Sequence, residues 1–168
     1  MDTGGSMDFL QLSGKRFLIF GVANKKSVAY AVAKMLESEN AENVFVVRDS
    51  SLVEKVQKLF PGSSVFTCNV EEEEEIAELR RRVGEKFESF DGILHSLAFA
   101  DYSEGIKPFH ETPRRAFLQA MEISCFSLTE ISRAFADLLT PTASVVTVSI
   151  STTRMASVNY GYMAPIKA

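Results

Sequence analysis

Tyr160 and Lys167 stand seven residues apart near the end of a 168-residue chain. That spacing is close to two helical turns, so a helix over the stretch would present both side chains on one face. An ammonium beside a phenol favours the phenolate by opposite-charge stabilisation. Tyr160 would then be a usable acid for a reaction centre. A Tyr–Lys pair also arises on helices with no such role, and its meaning depends on the rest of the chain.

A second pattern supplies that context. Gly21-Val22-Ala23-Asn24-Lys25-Lys26-Ser27-Val28-Ala29 joins a predicted strand to a predicted helix. A helix N-terminus in that position offers unpaired N–H groups and partial positive charge to a pyrophosphate. Gly21 allows a tight turn, and the small Ala23 and Ala29 permit close backbone approach. The G-x-G-x-x-G fingerprint of dinucleotide folds is absent, and an ordinary strand-to-helix turn explains the stretch equally well. Arg48 closes the second predicted strand, where dinucleotide folds read the adenosine ribose. An arginine there favours a 2′-phosphate and an acidic residue a free 2′-hydroxyl. Asp49 follows at once, and a solvated arginine at a strand end is the plainer reading.

Other polar clusters read as structure. Glu71 to Glu75 complements a helix N-terminus, and Glu78 and Arg82 form a favourable pair one turn apart. His95 lies in an apolar strand, as a hydrogen-bonded core histidine would, and His110 lies in a polar loop. Cys68 and Cys125 have no spaced partners, so no metal is expected.

The elements that must position these residues follow from hydrophobic periodicity. Strands are predicted at 15–21, 43–47, 65–68, 93–99 and 144–149. Helices separate them: one capped by Ser27 with Val28, Val32, Met35 and Leu36 on its apolar side, one through Leu52, Val56 and Leu59, and one through Ile76, Leu79, Val83 and Phe87. A long fourth helix opens at Thr112-Pro113, with Thr112 as cap and Pro113 in the first turn, and ends before Pro141. Strands alternating with helices at this spacing argue for an α/β fold with a doubly wound parallel sheet.

Length and composition set limits. The chain suits one domain with a sizeable core. Residues 1–6 read as a tail outside the fold, and 7–168 as the folded domain. A net charge of −4 gives no support to nucleic-acid or anionic-membrane binding. No run of about 18 apolar residues exists to cross a bilayer, the start lacks a signal peptide's basic residues, and two cysteines fit a reducing compartment. A cytoplasmic protein is expected.

Taken together, three segments resemble the short-chain dehydrogenase/reductase superfamily, and more narrowly its bacterial enoyl-acyl-carrier-protein reductase branch. They are Gly21 to Tyr30, with a divergent glycine motif, Phe90 to Ala100, and Asn159-Tyr160 through Met163 to Lys167-Ala168. The resemblance runs nearly from Met7 to Ala168. It implies a Rossmann-type fold and a reduced nicotinamide cofactor, NADH or NADPH, with Arg48 tipping slightly toward NADPH. Gly21, Ala23, Ser27 and Val28 would line the pyrophosphate and nearby ribose. Arg48 would stand by the adenosine ribose, and Asn69 and Val70 by the adenine. Ser96, Leu97 and Ala98 would run beside the nicotinamide half, and Lys167 would hold the nicotinamide ribose. Tyr160 would donate to the thioester carbonyl of a 2-enoyl chain near Phe99, Ala100 and Met163.

The resemblance also implies an acyl carrier protein as partner and a homotetramer built through the long helix and the one near Tyr160. The chain departs from the branch at Asn69, where aspartate is usual, at Ala98, where glycine is common, and at Ile150, where a second tyrosine often stands. Family members run further, so the chain reads as the front part of a longer enzyme. A carbonyl reductase of the same superfamily, favoured by Ile150 and Ala98, and a non-catalytic dinucleotide-binding relative remain as alternatives.

Overall fold

The first strand, β1 (Arg16–Phe20), carries Leu18, Ile19 and Phe20 with almost no solvent exposure. A strand apolar on both faces must be covered on both, which is the parallel-sheet arrangement. The computed structural model describes residues 9–150 and 161–168, and among them the sheet is parallel with five strands in the order β3-β2-β1-β4-β5. The other strands are β2 (Glu42–Val47), β3 (Ser64–Thr67), β4 (Phe90–His95) and β5 (Leu139–Thr147). The chain winds outward from β1 to β3, returns to β4 on the other side of β1, and continues to β5.

Helices cover the two faces. On one, α1 (Val28–Ser38) and α2 (Val53–Leu59) pack with Ile19, Phe45, Val47 and Phe60. On the other, α3 (Glu73–Gly84) and α5 (Ser127–Phe135) pack with Leu18, Phe20, Val44 and Ile93. A smaller cluster joins α4 (Arg114–Met121) to α6 (Met163–Lys167) through Ala116, Ala120, Tyr162, Met163 and Ile166.

Ser27 does cap α1, its hydroxyl accepting from Tyr30 N. The buried side of that helix, however, is Ala29, Ala33 and Leu36, while Val28 and Met35 are exposed. Small side chains let the helix sit close on the sheet, and the larger neighbours turn outward. Phe87 is buried beyond the end of α3 rather than on it.

Thr112 is not the cap of the fourth helix. Its hydroxyl donates to the Phe109 carbonyl at 2.7 Å, and Pro113 holds the cap position ahead of Arg114. Nor is that helix continuous. A π-helical segment, Glu122–Phe126, separates α4 from α5.

β4 begins earlier than expected and ends at His95, leaving 96–99 as a loop. β5 starts at Leu139 and takes in Pro141, with a register slip between the Phe90–Leu139 and Gly92–Ser144 pairs. Proline lacks the N–H a ladder needs, so an edge strand with irregular pairing accommodates it.

Candidate functional site

The strand order reverses direction at β1 and β4, and there the carboxyl ends of the strands diverge and leave a crevice. A cleft of about 360 Å³ occupies this position. Gly21 and Ala23 border it after β1, Arg48 after β2, Asn69 and Val70 after β3, and Ser96, Leu97, Ala98 and Phe99 after β4.

The backbone at its base is tightly drawn. Ser96 N donates to the Phe20 carbonyl at 3.2 Å. Gly21 adopts φ +95°, and a Cβ there would lie 2.1 Å from the Ser96 carbonyl oxygen. Glycine is therefore required at Gly21 by the neighbouring strand end as well as by the turn.

Arg48 is exposed, its Nε 3.1 Å from the Asp49 carboxylate. That carboxylate also accepts from Ser51 N at 3.0 Å, capping a short 3₁₀ turn over Ser50–Leu52. Bonds from Ser51 and Arg48 hold the Asp49 carboxyl below its usual range. Asp49 is thus engaged locally and presents Arg48 at the mouth of the cleft.

Lys167 reaches the site from the far end of the chain. Its side chain is buried, and its ammonium donates to the carbonyls of Leu97 at 3.1 Å and Ser124 at 3.3 Å. Burial pushes its pKa below the ordinary lysine value. Among the described residues no carboxylate pairs with it. An ammonium has three N–H donors, and two of the groups that accept from it are these carbonyls, one of them belonging to a residue that borders the cleft.

His95 lies at the end of β4 with no solvent exposure. Its ring nitrogens contact the Thr147 hydroxyl at 3.1 Å and the Ser127 hydroxyl at 2.8 Å. Burial first, and the Lys167 charge second, push its pKa down to about 4. It is a neutral core residue tying β4 to β5 and α5. Cys68 borders the cleft with its thiol pushed up to about 12 by burial, so it is not nucleophilic at neutral pH. Among the described residues no cluster of histidine, cysteine and carboxylate side chains could hold a metal ion.

The remaining expected site residues are placed elsewhere. Ser27 uses its hydroxyl within the turn, donating to the Asn24 carbonyl at 2.7 Å, and Val28 faces solvent. Met163 is buried in the α4–α6 cluster, with Ala100 packed against it. Tyr160 lies outside the described residues. The continuous helix expected from Tyr160 to Lys167 is not seen, because α6 starts at Met163 and Gly161 before it has φ +53°. The helical argument for a shared face therefore does not hold. The described phenol in this region, Tyr162, is buried and donates to the Asp101 carbonyl at 2.9 Å.

Other residues bordering the cleft had no sequence signal. Leu52, Glu71, Gln119 and Ile123 all contribute, and Gln119 Nε2 donates to Glu71 Oε1 at 2.8 Å, joining α4 to the loop after β3. Glu71 belongs to that loop, since α3 begins at Glu73. Ser124, in the π segment, is buried and bonded to Phe99. Only the spacing of Gln119 and Ile123, one turn apart on a helix, could have pointed to a shared face.

The doubly wound sheet with a cleft at its switch point defines a Rossmann-type protein of the short-chain dehydrogenase/reductase kind. A family model described as "Enoyl-(Acyl carrier protein) reductase" matches residues 21–168, and the chain belongs to that family.

Among curated relatives it is 32% identical over 164 residues to the enoyl-[acyl-carrier-protein] reductase [NADPH] FabI of Staphylococcus aureus, covering 95% of this chain and 64% of that protein. Among solved structures it is similar to FabI from Candidatus Liberibacter asiaticus, with TM-score 0.86 and 37% identity over 93% of this chain and 62% of that one. It is also similar to the enoyl-[acyl-carrier-protein] reductase (NADH) of Aquifex aeolicus, with TM-score 0.87 and 33% identity over 93% of this chain and 63% of that one. The chain thus spans less than two thirds of the length of these relatives.

Proposed function

We propose that this chain forms the cofactor-binding part of an NAD(P)H-dependent enoyl-thioester reductase, acting on 2-enoyl chains carried by acyl carrier protein in type II fatty-acid synthesis. The observation that carries the reading is Lys167, a buried cation that donates to the carbonyl of Leu97, a residue of the cleft wall. The relatives' names include both NADPH and NADH, so either cofactor fits the family.

The residues present suit a dinucleotide. Gly21 and Ala23 keep side-chain bulk out of the first turn, Arg48 stands at the adenosine end, and Asn69 and Val70 would flank the adenine. Ser96, Leu97 and Ala98 would border the nicotinamide half, and Lys167 would hold the ribose hydroxyls beside it. Ser27 and Val28 would act through their backbone at the head of α1. When bound, the reduced nicotinamide supplies a hydride to the β-carbon of the enoyl chain.

Negative charge then develops on the thioester oxygen. Tyr160 would donate a hydrogen bond to that oxygen, which is worth more in the transition state than in the ground state. Lys167 would hold the phenol's pKa within reach of neutral pH. Phe99, Ala100 and Met163 would lie on the acyl side. A homotetramer built through α4, α5 and α6 fits the exposed Leu118 and Phe126 on the helical run. A cytoplasmic location follows from this substrate, and among the described residues no helix is long and apolar enough to cross a membrane.

The test is oxidation of NADPH and of NADH by the full-length protein, with a short 2-enoyl thioester and, separately, a 3-oxoacyl thioester. Oxidation with the enoyl substrate supports the reading. Oxidation with the oxo substrate alone would replace it with carbonyl reduction.

A further inference from the structure

We propose that Ser124 is a positioning residue whose side chain fixes the loop bordering the nicotinamide half of the cleft. The inference rests on the dinucleotide reading of that cleft. A hydroxyl can accept and donate at once, and Ser124 does both to a single residue. Its Oγ accepts from Phe99 N at 2.8 Å and donates to the Phe99 carbonyl at 3.2 Å. Phe99 is the last of the four residues after β4 that border the cleft, and beyond His95 no strand ladder holds them. Val148 N bonds the His95 carbonyl and Ser96 N the Phe20 carbonyl, but both lie at the start of the loop. At its far end the peptide groups of Phe99 turn to Ser124 instead.

Ser124 lies in the π segment Glu122–Phe126, and single π turns inside helices are frequent at functional sites. Its own carbonyl accepts from the Lys167 ammonium at 3.3 Å, and Lys167 also bonds the Leu97 carbonyl. One buried serine, 3% exposed, therefore closes a ring of hydrogen bonds through Phe99, the loop and Lys167. Removing its hydroxyl takes away the side-chain partner of the Phe99 N–H and carbonyl, which loosens the loop but leaves the adenosine end of the cleft untouched.

The test compares Ser124→Ala with Ser132→Ala in the full-length protein. Ser132 is a control in α5, the helix that follows the π segment, its hydroxyl donating back to the Leu128 carbonyl. Amide exchange at Phe99 is read by NMR, and the affinities for NADPH and for ADP, which fills only the adenosine end, by titration calorimetry. Loss of a buried hydrogen bond predicts that Ser124→Ala speeds Phe99 exchange and weakens NADPH by about tenfold, with ADP changed by less than about twofold. Ser132→Ala should change none of these.

Unchanged Phe99 exchange, unchanged NADPH affinity, or equal weakening of NADPH and ADP would each overturn the proposal. A wild-type protein that binds ADP and NADPH no better than free buffer components would sink the dinucleotide reading itself and this inference with it.

Discussion

The Lys167 ammonium donates to the Leu97 carbonyl at 3.1 Å across a sequence separation of 70 residues. That bond ties Lys167 to one wall of a cleft built from the ends of β1, β2, β3 and β4. Lys167→Ala should therefore weaken NADPH binding and turnover together, by about tenfold or more in affinity, as expected for a charged group in a buried hydrogen-bonded site. Tyr160→Phe should mainly slow turnover, with the cofactor dissociation constant nearly unchanged. Steady-state rates alongside calorimetric titration check both, and a normal rate in Tyr160→Phe would remove the donor role assigned to it.

Gly21 has no room for a side chain. Its φ of +95° and the 2.1 Å approach of a would-be Cβ to the Ser96 carbonyl mean that Gly21→Ala must move backbone at the base of the cleft. The expected cost is about 2 kcal/mol or more, read as a lowered urea midpoint, with weakened dinucleotide binding.

Arg48 is exposed and paired with Asp49, so its charge acts in a screened environment. Arg48→Ala should weaken NADPH several-fold, by no more than about tenfold, and leave NADH nearly unchanged. Equal effects on the two cofactors in a titration would show that Arg48 does not read the 2′ position.

His95 predicts the direction of acid sensitivity. Its folded pKa is held down to about 4 from an ordinary 6.5, chiefly by burial. The unfolded chain therefore takes up a proton that the folded chain refuses until lower pH. His95 costs no stability above about 6.5, and stability falls as pH drops from there toward 4, by at most about 3 kcal/mol. Urea unfolding across that window should show the decline. His95→Asn should flatten it while lowering stability at neutral pH, because the contacts with Thr147 and Ser127 are lost.

The parallel sheet was legible because β1, β2 and β4 are apolar on both faces, a pattern few other arrangements tolerate. Ser27 as a cap and His95 as a core residue followed from local chemistry. What local chemistry does not carry is long-range geometry. The choice of Ala29 over Val28 as the buried face of α1 depends on how closely the helix sits on the sheet. The π segment at Glu122–Phe126 contains Ser124, which bonds Phe99, 25 residues away in the sequence. The roles of Glu71 and Gln119 at the cleft depend on a contact between elements that periodicity treats separately. Gly161, at φ +53°, stands ahead of α6, yet Lys167 at the end of that helix still bonds the Leu97 carbonyl.

The most direct measurement follows deuterium from NADPH labelled at the transferable position of nicotinamide C4 into a 2-enoyl thioester, in the full-length protein. Deuterium at the β-carbon of the saturated product, located by NMR, is the predicted result. No transfer to the enoyl chain, with deuterium instead on the carbinol carbon of an added ketone, would contradict an enoyl reductase.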